Sequence, residues 1–385
     1  APSLLVEFRK RLDENVLAEI NEMIAVYNRP DDSSDDNSNG GGNSADNTSN
    51  ENNTDAASEP ENEGTLILDA TCAPQNIAFP QDINLLNEAR ENLEAMIDQV
   101  CSENNFKKPR MYRKKAREAY LALAKCRRRT GKRIRKAIGQ QLHYIRRDLG
   151  YIDMFVLHNN VILTEKQKNR LDVIKKLYEQ QKYMYDNRTH KIENRIVSIS
   201  QPYVRPIVRG KANRPVEFGA KLHLSIDETG FGRIEHISFN AFNEGPQLID
   251  ALNAYKYRNG KYPERVLVDQ IYRNRPNIEF CKLHGIRISG PKLGRPSTDA
   301  KAVRKDRRVT AKDQSDRIEI ERYFSTAKRR NGLGLIMRKR EDTSLTTIAM
   351  SVLVTNIFGS FKLAVEELES QTKVSAGTSS AATVR

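Results

Sequence analysis

The sequence predicts an α/β protein: a mixed sheet with a large basic helical insertion between its first and second core strands. Three observations predict it. Two short apolar runs end in aspartate, Leu66-Ile-Leu-Asp69 and Val266-Leu-Val-Asp269. Between them, residues 81–195 combine helical periodicity with dense Lys and Arg clusters. Near the C-terminus, Arg317-Ile-Glu-Ile-Glu-Arg-Tyr-Phe-Ser-Thr-Ala-Lys328 reads as a helix with Arg317, Glu321 and Lys328 on one face, because offsets of four and seven return to the same side.

Composition sets the class of partner. The 385 residues are 38% apolar and 30% charged, with a net charge of +14. Asp31–Glu63 holds about ten acidic residues and no basic one, which leaves about +24 on the remainder, the balance of a polyanion binder. No apolar run reaches the roughly 18 residues of a membrane span and no signal pattern is present, so a membrane is not expected and the cytoplasm is the default location. Cys72, Cys101, Cys126 and Cys281 form no C-x-x-C pair and have no histidines at ligand spacing, so reduced thiols are expected rather than a disulfide framework or a zinc site.

Taken in order, Leu4, Phe8, Leu12, Val16, Ile20 and Tyr27 form an apolar helical stripe that needs a cover, and 1–29 reads as the helical remnant of an N-terminal region. The chain starts without methionine, as the interior of a longer protein would. Residues 30–63, rich in Asp, Asn, Ser and Gly, read as an acidic disordered linker. The first core strand falls in 64–80, bounded by Gly64 and Pro74. The insertion over 81–195 begins with a helix carrying Leu86, Ala89, Leu93, Ile97 and Val100. It continues through a cationic run from Lys107 to Arg147, and Thr164-Glu-Lys-Gln167 is a capping box that opens a further helix. The rest of the core spans 196–366. It begins with a strand at 215–226, a turn at Asp227–Gly230 and a hairpin partner at 231–239. A helix at 244–256, a strand at 265–269, another helix and a short strand at 286–289 follow, with loop from 290 to 316. The helix at 317–330 and a buried packing helix around Leu345–Ile357 complete it, and 367–385 reads as a disordered tail.

Strands that end in Asp69 and Asp269, together with a helix presenting Glu321, make an oxygen-donor set suited to hard divalent cations. Glu319 competes with Glu321, but an offset of two turns it about 200° away. Asp227 reads as turn chemistry and Tyr323 as a packing residue, and of the further carboxylates that could assist the metals, Asp82 and Glu244, neither is favoured.

The order of these elements, with the helical stretch set aside, resembles a ribonuclease-H-like core. The pattern Arg317-x3-Glu321-x6-Lys328 resembles the third-carboxylate signature of bacterial insertion-sequence transposases of the DDE class. The blocks at 66–74, 196–211 and 289–296 are similar to those of the family-five insertion-sequence branch, and the likeness runs from about Leu4 to Phe361. The resemblance implies a DNA transposase with Asp69, Asp269 and Glu321 as catalytic ligands of two Mg²⁺ ions, Mn²⁺ being the alternative. Arg317 and Lys328 would then meet phosphate oxygens. It also implies double-stranded DNA as partner, a homodimer in the synaptic complex, and a bacterial, nucleoid-associated, cytoplasmic setting. The family's N-terminal domain is expected to be missing. Arg113, Lys114, Arg128, Arg129, Lys132, Arg133 and Lys211 are the further DNA-contact candidates, with Arg214 and the 290–296 loop behind them. Two other readings stay open: a non-catalytic DNA-binding remnant, and a ribonuclease-H-like nuclease without strand transfer.

Overall fold

The computed structural model describes residues 11–12, 14–27, 62–211, 214–291, 294 and 299–381. The acidic segment, the start of the chain and most of the 290–298 loop lie outside the described residues.

Six strands form one mixed sheet: β1 (Thr65–Pro74), β2 (Arg205–Lys211), β3 (Arg214–Ile226), β4 (Gly232–Ser238), β5 (Arg265–Leu267) and β6 (Arg287–Ile288). β1 is central. It pairs antiparallel with β3 and parallel with β5, which pairs parallel with β6. The far edge of β3 is shared by β2 along its first half and β4 along its second. The path β4–β3–β1–β5–β6 is compatible with a ribonuclease-H-like fold. β2 was not expected, because an edge strand containing Pro206 and Gly210 carries little strand signal of its own.

The helices are α1 (Glu14–Tyr27), α2 (Asp82–Glu103), α3 (Arg113–Ala124), α4 (Gly131–His158), α5 (Glu165–Asp186), α6 (Gln247–Asn259), α7 (Arg275–Leu283), α8 (Ala300–Arg330) and α9 (Glu341–Ala381). In chain order α2–α5 stand between β1 and β2, and they enclose a core of their own containing Leu93, Ile97, Ile145, Ile152, Ile174 and Leu177. The capping box forms as expected: the Thr164 hydroxyl accepts from the Gln167 amide while the Gln167 side chain reaches back to the Thr164 amide.

The sheet is covered on both faces. One face takes α8 and α9, through Ile320, Tyr323, Phe324, Ala327, Ile348 and Val352. The other takes α6 and α7, through Leu248, Leu252, Tyr255 and Cys281. The stripe of α1 finds its cover in α9, where Leu17 packs against Ala349 and Leu353. Asn21 and Asn356 both donate to the Gly232 carbonyl, at 2.9 and 2.8 Å, and so tie α1 and α9 to the start of β4. Gly232 is required there, because a Cβ would lie 2.4 Å from the Tyr323 ring. Tyr323 is itself buried, its hydroxyl donating to the Val352 carbonyl at 3.1 Å, which makes it a packing residue.

Among the described residues, the α9 stretch Glu341–Val365 is long and apolar enough by composition to cross a membrane, yet Ile348, Ala349, Val352 and Leu353 are spent on the sheet and on α1. It is a core helix. α9 also runs on to Ala381, through the segment expected as a disordered tail.

A larger difference concerns 290–316, expected as loop throughout. From Ala300 onward it is helix, capped by Asp299, whose carboxylate accepts from the Lys301 amide at 2.9 Å. The charged first half has no apolar stripe, so periodicity carries no signal there.

His223 on β3 is fully buried and neither ring nitrogen has a hydrogen-bond partner. Burial pulls its pKa down to about 4, with the His236 and Lys221 charges adding to the effect. Unfolded, the imidazole takes a proton near pH 6.5, so its contribution to stability is complete above that pH and fades as pH falls towards 4. Burial raises Asp69 and Asp148 to about 6, which acts in the opposite sense, so the contrast with a variant isolates the histidine. His223→Leu is expected to remove an acid-dependent loss on the order of 3 kcal/mol. Urea unfolding at pH 7 and pH 4.5 checks it; an equal pH response in both proteins contradicts it.

Candidate active site beside the central strand

The register of two parallel strands brings the first two carboxylates together. Ile67 on β1 is aligned with Leu267, the last residue of β5, so Asp69 lies two residues further along β1, in mid-strand and not at its end as expected, and Asp269 lies two residues past the end of β5. The Ser289 hydroxyl holds the exit of β5, accepting from the Val268 amide at 2.9 Å and donating to the Val268 carbonyl at 3.1 Å. Asp269 then opens a short 3₁₀ turn, Gln270–Tyr272, without spending its side chain as a cap.

α8 supplies the rest. Ile320, Tyr323, Phe324 and Ala327 are buried, and offsets of three, four and seven make them the stripe that seats the helix on the sheet. Seated so, Arg317 reaches all three carboxylates: Asp269 Oδ1 at 2.7 Å, Glu321 Oε1 at 3.5 Å and Asp69 Oδ2 at 3.8 Å. Glu319 turns away and pairs with Arg322 at 3.1 Å. Side-chain exposure is graded, from 18% at Asp69 to 52% at Asp269 and 60% at Glu321, so the cluster opens to solvent on the helix side.

Negative charge is in excess. Burial is the main cause that lifts the Asp69 carboxyl to about 6, and the neighbouring Asp269 and Glu244 carboxylates push in the same direction. The Ala70 amide, donating to Asp69 at 2.8 Å, and the Arg317 guanidinium act against them. Sequence reasoning gave Glu244 little weight, yet it stands close to this edge and is paired with Lys221 at 2.7 Å. Tyr272 is buried beneath it; burial, then the Glu244, Asp69 and Asp269 charges, drive its phenol pKa upward. Neither residue carries a pattern that would have flagged it: Glu244 arrives on the 239–246 segment, held by Lys221, and Tyr272 ends the 3₁₀ turn that follows Asp269.

Donor chemistry fits a hard divalent cation: three carboxylates, one partly desolvated, with one guanidinium among them. The spacing as it stands does not. Among the described residues, no group of three or more Asp, Glu, His or Cys side chains is arranged to hold a metal ion. Arg317 fills the space between the carboxylates, with its Nη1 buried and without an aligned hydrogen bond.

A second ionic cluster fixes the level of α8. Asp313, buried, accepts two bonds from Arg287, at 2.6 and 2.9 Å, and one from Arg265 at 3.3 Å. Arg265 also holds Asp316 at 2.8 Å and the Thr65 hydroxyl at 2.8 Å. From Asp313 to Glu321 the helix rises about 12 Å, and from Thr65 to Asp69 the strand rises about 13 Å. The clamp at the start of β1 therefore sets the level at which Arg317 and Glu321 stand beside Asp69. Asp313→Asn leaves two guanidinium groups under-compensated; because Arg287 is partly exposed, the expected cost is discounted to about 2 kcal/mol. Urea unfolding measures it, and a change below about 0.5 kcal/mol contradicts the clamp.

The other expected contacts divide. Arg113 is drawn into the helical layer by Asp98 and Glu94, and Arg147 beside it pairs with Asp148. Arg129 donates to Gln81 and to the Ala124 carbonyl, and Arg133 to the Cys126 sulfur. Lys114, Arg128 and Lys132 are exposed. Lys328 is half-buried on the last turns of α8. The side chains of Lys211 and Arg214 and most of the 290–298 loop lie outside the described residues. Asp82, weighed earlier as an assistant, is engaged with Gln181 at 2.8 Å and with Arg195. Asp227 serves the turn, accepting from the Thr229 amide at 3.1 Å, and pairs with Arg233. All four cysteines are free.

Searches of curated proteins and of solved structures return no match to this chain. Residues 266–358, about a quarter of the chain, match the family model described as a transposase DDE domain, a span that includes Asp269, Arg317, Glu321 and Lys328, and this match supports a DDE transposase.

Proposed function

We propose that the chain is a DNA transposase of the family-five insertion-sequence branch, cutting and joining DNA at element ends with Asp69, Asp269 and Glu321 as its catalytic carboxylates. The observation that carries this reading is the convergence of those three side chains, from two parallel strands and one helix, on a single guanidinium. Two Mg²⁺ ions, or Mn²⁺, bound by these carboxylates would activate the attacking oxygen and stabilise the departing one. Arg317 turns from the carboxylates to a phosphate oxygen when DNA is present, and Lys328 supports the same phosphate as a point charge.

In the cut, a water oxygen bonds to phosphorus as the P–O3′ bond breaks, leaving a 3′-hydroxyl and a 5′-phosphate; one water proton ends on O3′ and the other passes to solvent. In the joining step that 3′-hydroxyl attacks a phosphodiester of a second duplex, and the 3′-oxygen there departs with a proton. The α2–α5 layer is the insertion within the ribonuclease-H-like core, and its exposed Lys114, Arg128 and Lys132 hold duplex backbone. A homodimer acting on the bacterial nucleoid completes the proposal. Duplexes bearing the inverted repeats that flank the coding region, incubated with Mg²⁺ and protein, should yield both nicked and joined products. Nicking without joining would reduce the protein to a nuclease, and neither product would leave a DNA-binding protein only.

A further inference from the structure

The first half of α8 stands out once the catalytic half is accounted for. Over 300–312 it carries six cations and a single acid, Asp306. Lys301, Arg304, Lys305, Arg308 and Lys312 are all exposed, and none of the ion pairs among the described residues involves them. At about 100° per residue these five fall in one stripe about 100° wide, running for some 18 Å along the helix. The face bearing Asp313, Arg317 and Glu321 is turned roughly 180° from that stripe. The Asp313 clamp prevents the helix from rolling to exchange the two faces.

We propose that this cationic arm binds the backbone of a second DNA segment, distinct from the one whose phosphate enters the carboxylate site. Charge complementarity names the partner: a one-sided row of five exposed cations without base-reading apolar or amide groups suits duplex phosphates irrespective of sequence. Position separates it from the first segment, because a duplex lying against Asp69 and Glu321 meets the opposite side of α8. The inference rests on the proposed transposase reading, in which joining needs two duplexes and cutting needs one.

The test uses the full chain with all five positions neutralised together (Lys301→Gln, Arg304→Gln, Lys305→Gln, Arg308→Gln, Lys312→Gln). The comparison variant neutralises Lys166, Lys168 and Lys176, exposed on α5. The arm variant should nick element-end duplex like the parent but join it to a target duplex at least about tenfold less. Its dependence of log affinity on log salt for a generic duplex should flatten by up to about 4.5. The α5 variant should leave joining unchanged. Unchanged joining and salt dependence in the arm variant overturn the proposal. A parallel loss of nicking and joining, with an intact thermal transition, overturns the assignment to a second segment. If the parent itself neither nicks nor joins, the transposase reading fails on its own, and the salt dependence alone then decides whether the arm holds DNA.

Discussion

Asp269→Asn is expected to reduce Mg²⁺-dependent nicking by at least about a thousandfold, about 4 kcal/mol in the barrier, while leaving duplex affinity and thermal stability nearly unchanged. The substitution keeps the shape of the side chain and removes its charge. It acts on a residue whose side chain is 52% exposed and whose ionic partner, Arg317, keeps Asp69 and Glu321 as counter-charges. Activity and fold are thereby separable. Gel analysis of nicked product, with anisotropy for affinity and calorimetry for the melt, checks all three. Nicking retained within about tenfold would remove Asp269 from the chemistry.

Arg317→Gln has the second large effect, and it runs in two directions. The guanidinium lies between the three carboxylates, so any divalent cation entering must displace it. Removing that competing charge should raise DNA-free Mn²⁺ affinity by at least about tenfold, or about 1.4 kcal/mol. Losing the phosphate contact proposed for it should lower cutting by about a hundredfold. Coupling follows from the same geometry. If a phosphate draws Arg317 away, duplex and Mn²⁺ binding reinforce each other by an equal factor in either order. Calorimetric Mn²⁺ titrations with and without uncleaved duplex should show that reinforcement in the parent and little of it in the variant. Weaker Mn²⁺ binding by the variant in the absence of DNA would mean that Arg317 supports the cation site instead of competing for it.

What the sequence made legible is what local pattern encodes. Leu66–Asp69 and Val266–Asp269 each read as a strand ending in a carboxylate; β1 instead runs on to Pro74 with Asp69 in its middle, while β5 does end, at Leu267, and the parallel register of Ile67 with Leu267 is what sets the two aspartates side by side. Glu321 was separable from Glu319 because helical phase alone decides which shares a face with Arg317. The burial of Ile348, Ala349, Val352 and Leu353 on α9 was legible from apolar positions on several faces of that stretch. Patterns that are silent in sequence were missed. The first half of α8 is helical through its cap and its solvated side chains, without an apolar stripe, so it read as loop. β2 forms because β3 offers it an edge.

Roles that depend on a distant partner were harder still. Arg113 sits in a cationic run, yet Asp98 and Glu94 on α2 claim it, which no spacing within α3 reveals. Arg265 and Arg287 read as strand residues of no consequence until α8 sets Asp313 between them. Glu244 follows the β4 strand by six residues and reaches the site only because the 239–246 segment folds back over the sheet edge, where Lys221 holds it.

The proposed chemistry requires Asp69, Asp269 and Glu321 to bind divalent cations in common. Manganese anomalous diffraction from crystals of the full chain with an uncleaved element-end duplex is the decisive experiment. Anomalous peaks are expected in contact with all three carboxylates, with Arg317 withdrawn to the DNA backbone. Peaks bound elsewhere, or Arg317 still seated among the three carboxylates with DNA and Mn²⁺ present, would contradict it.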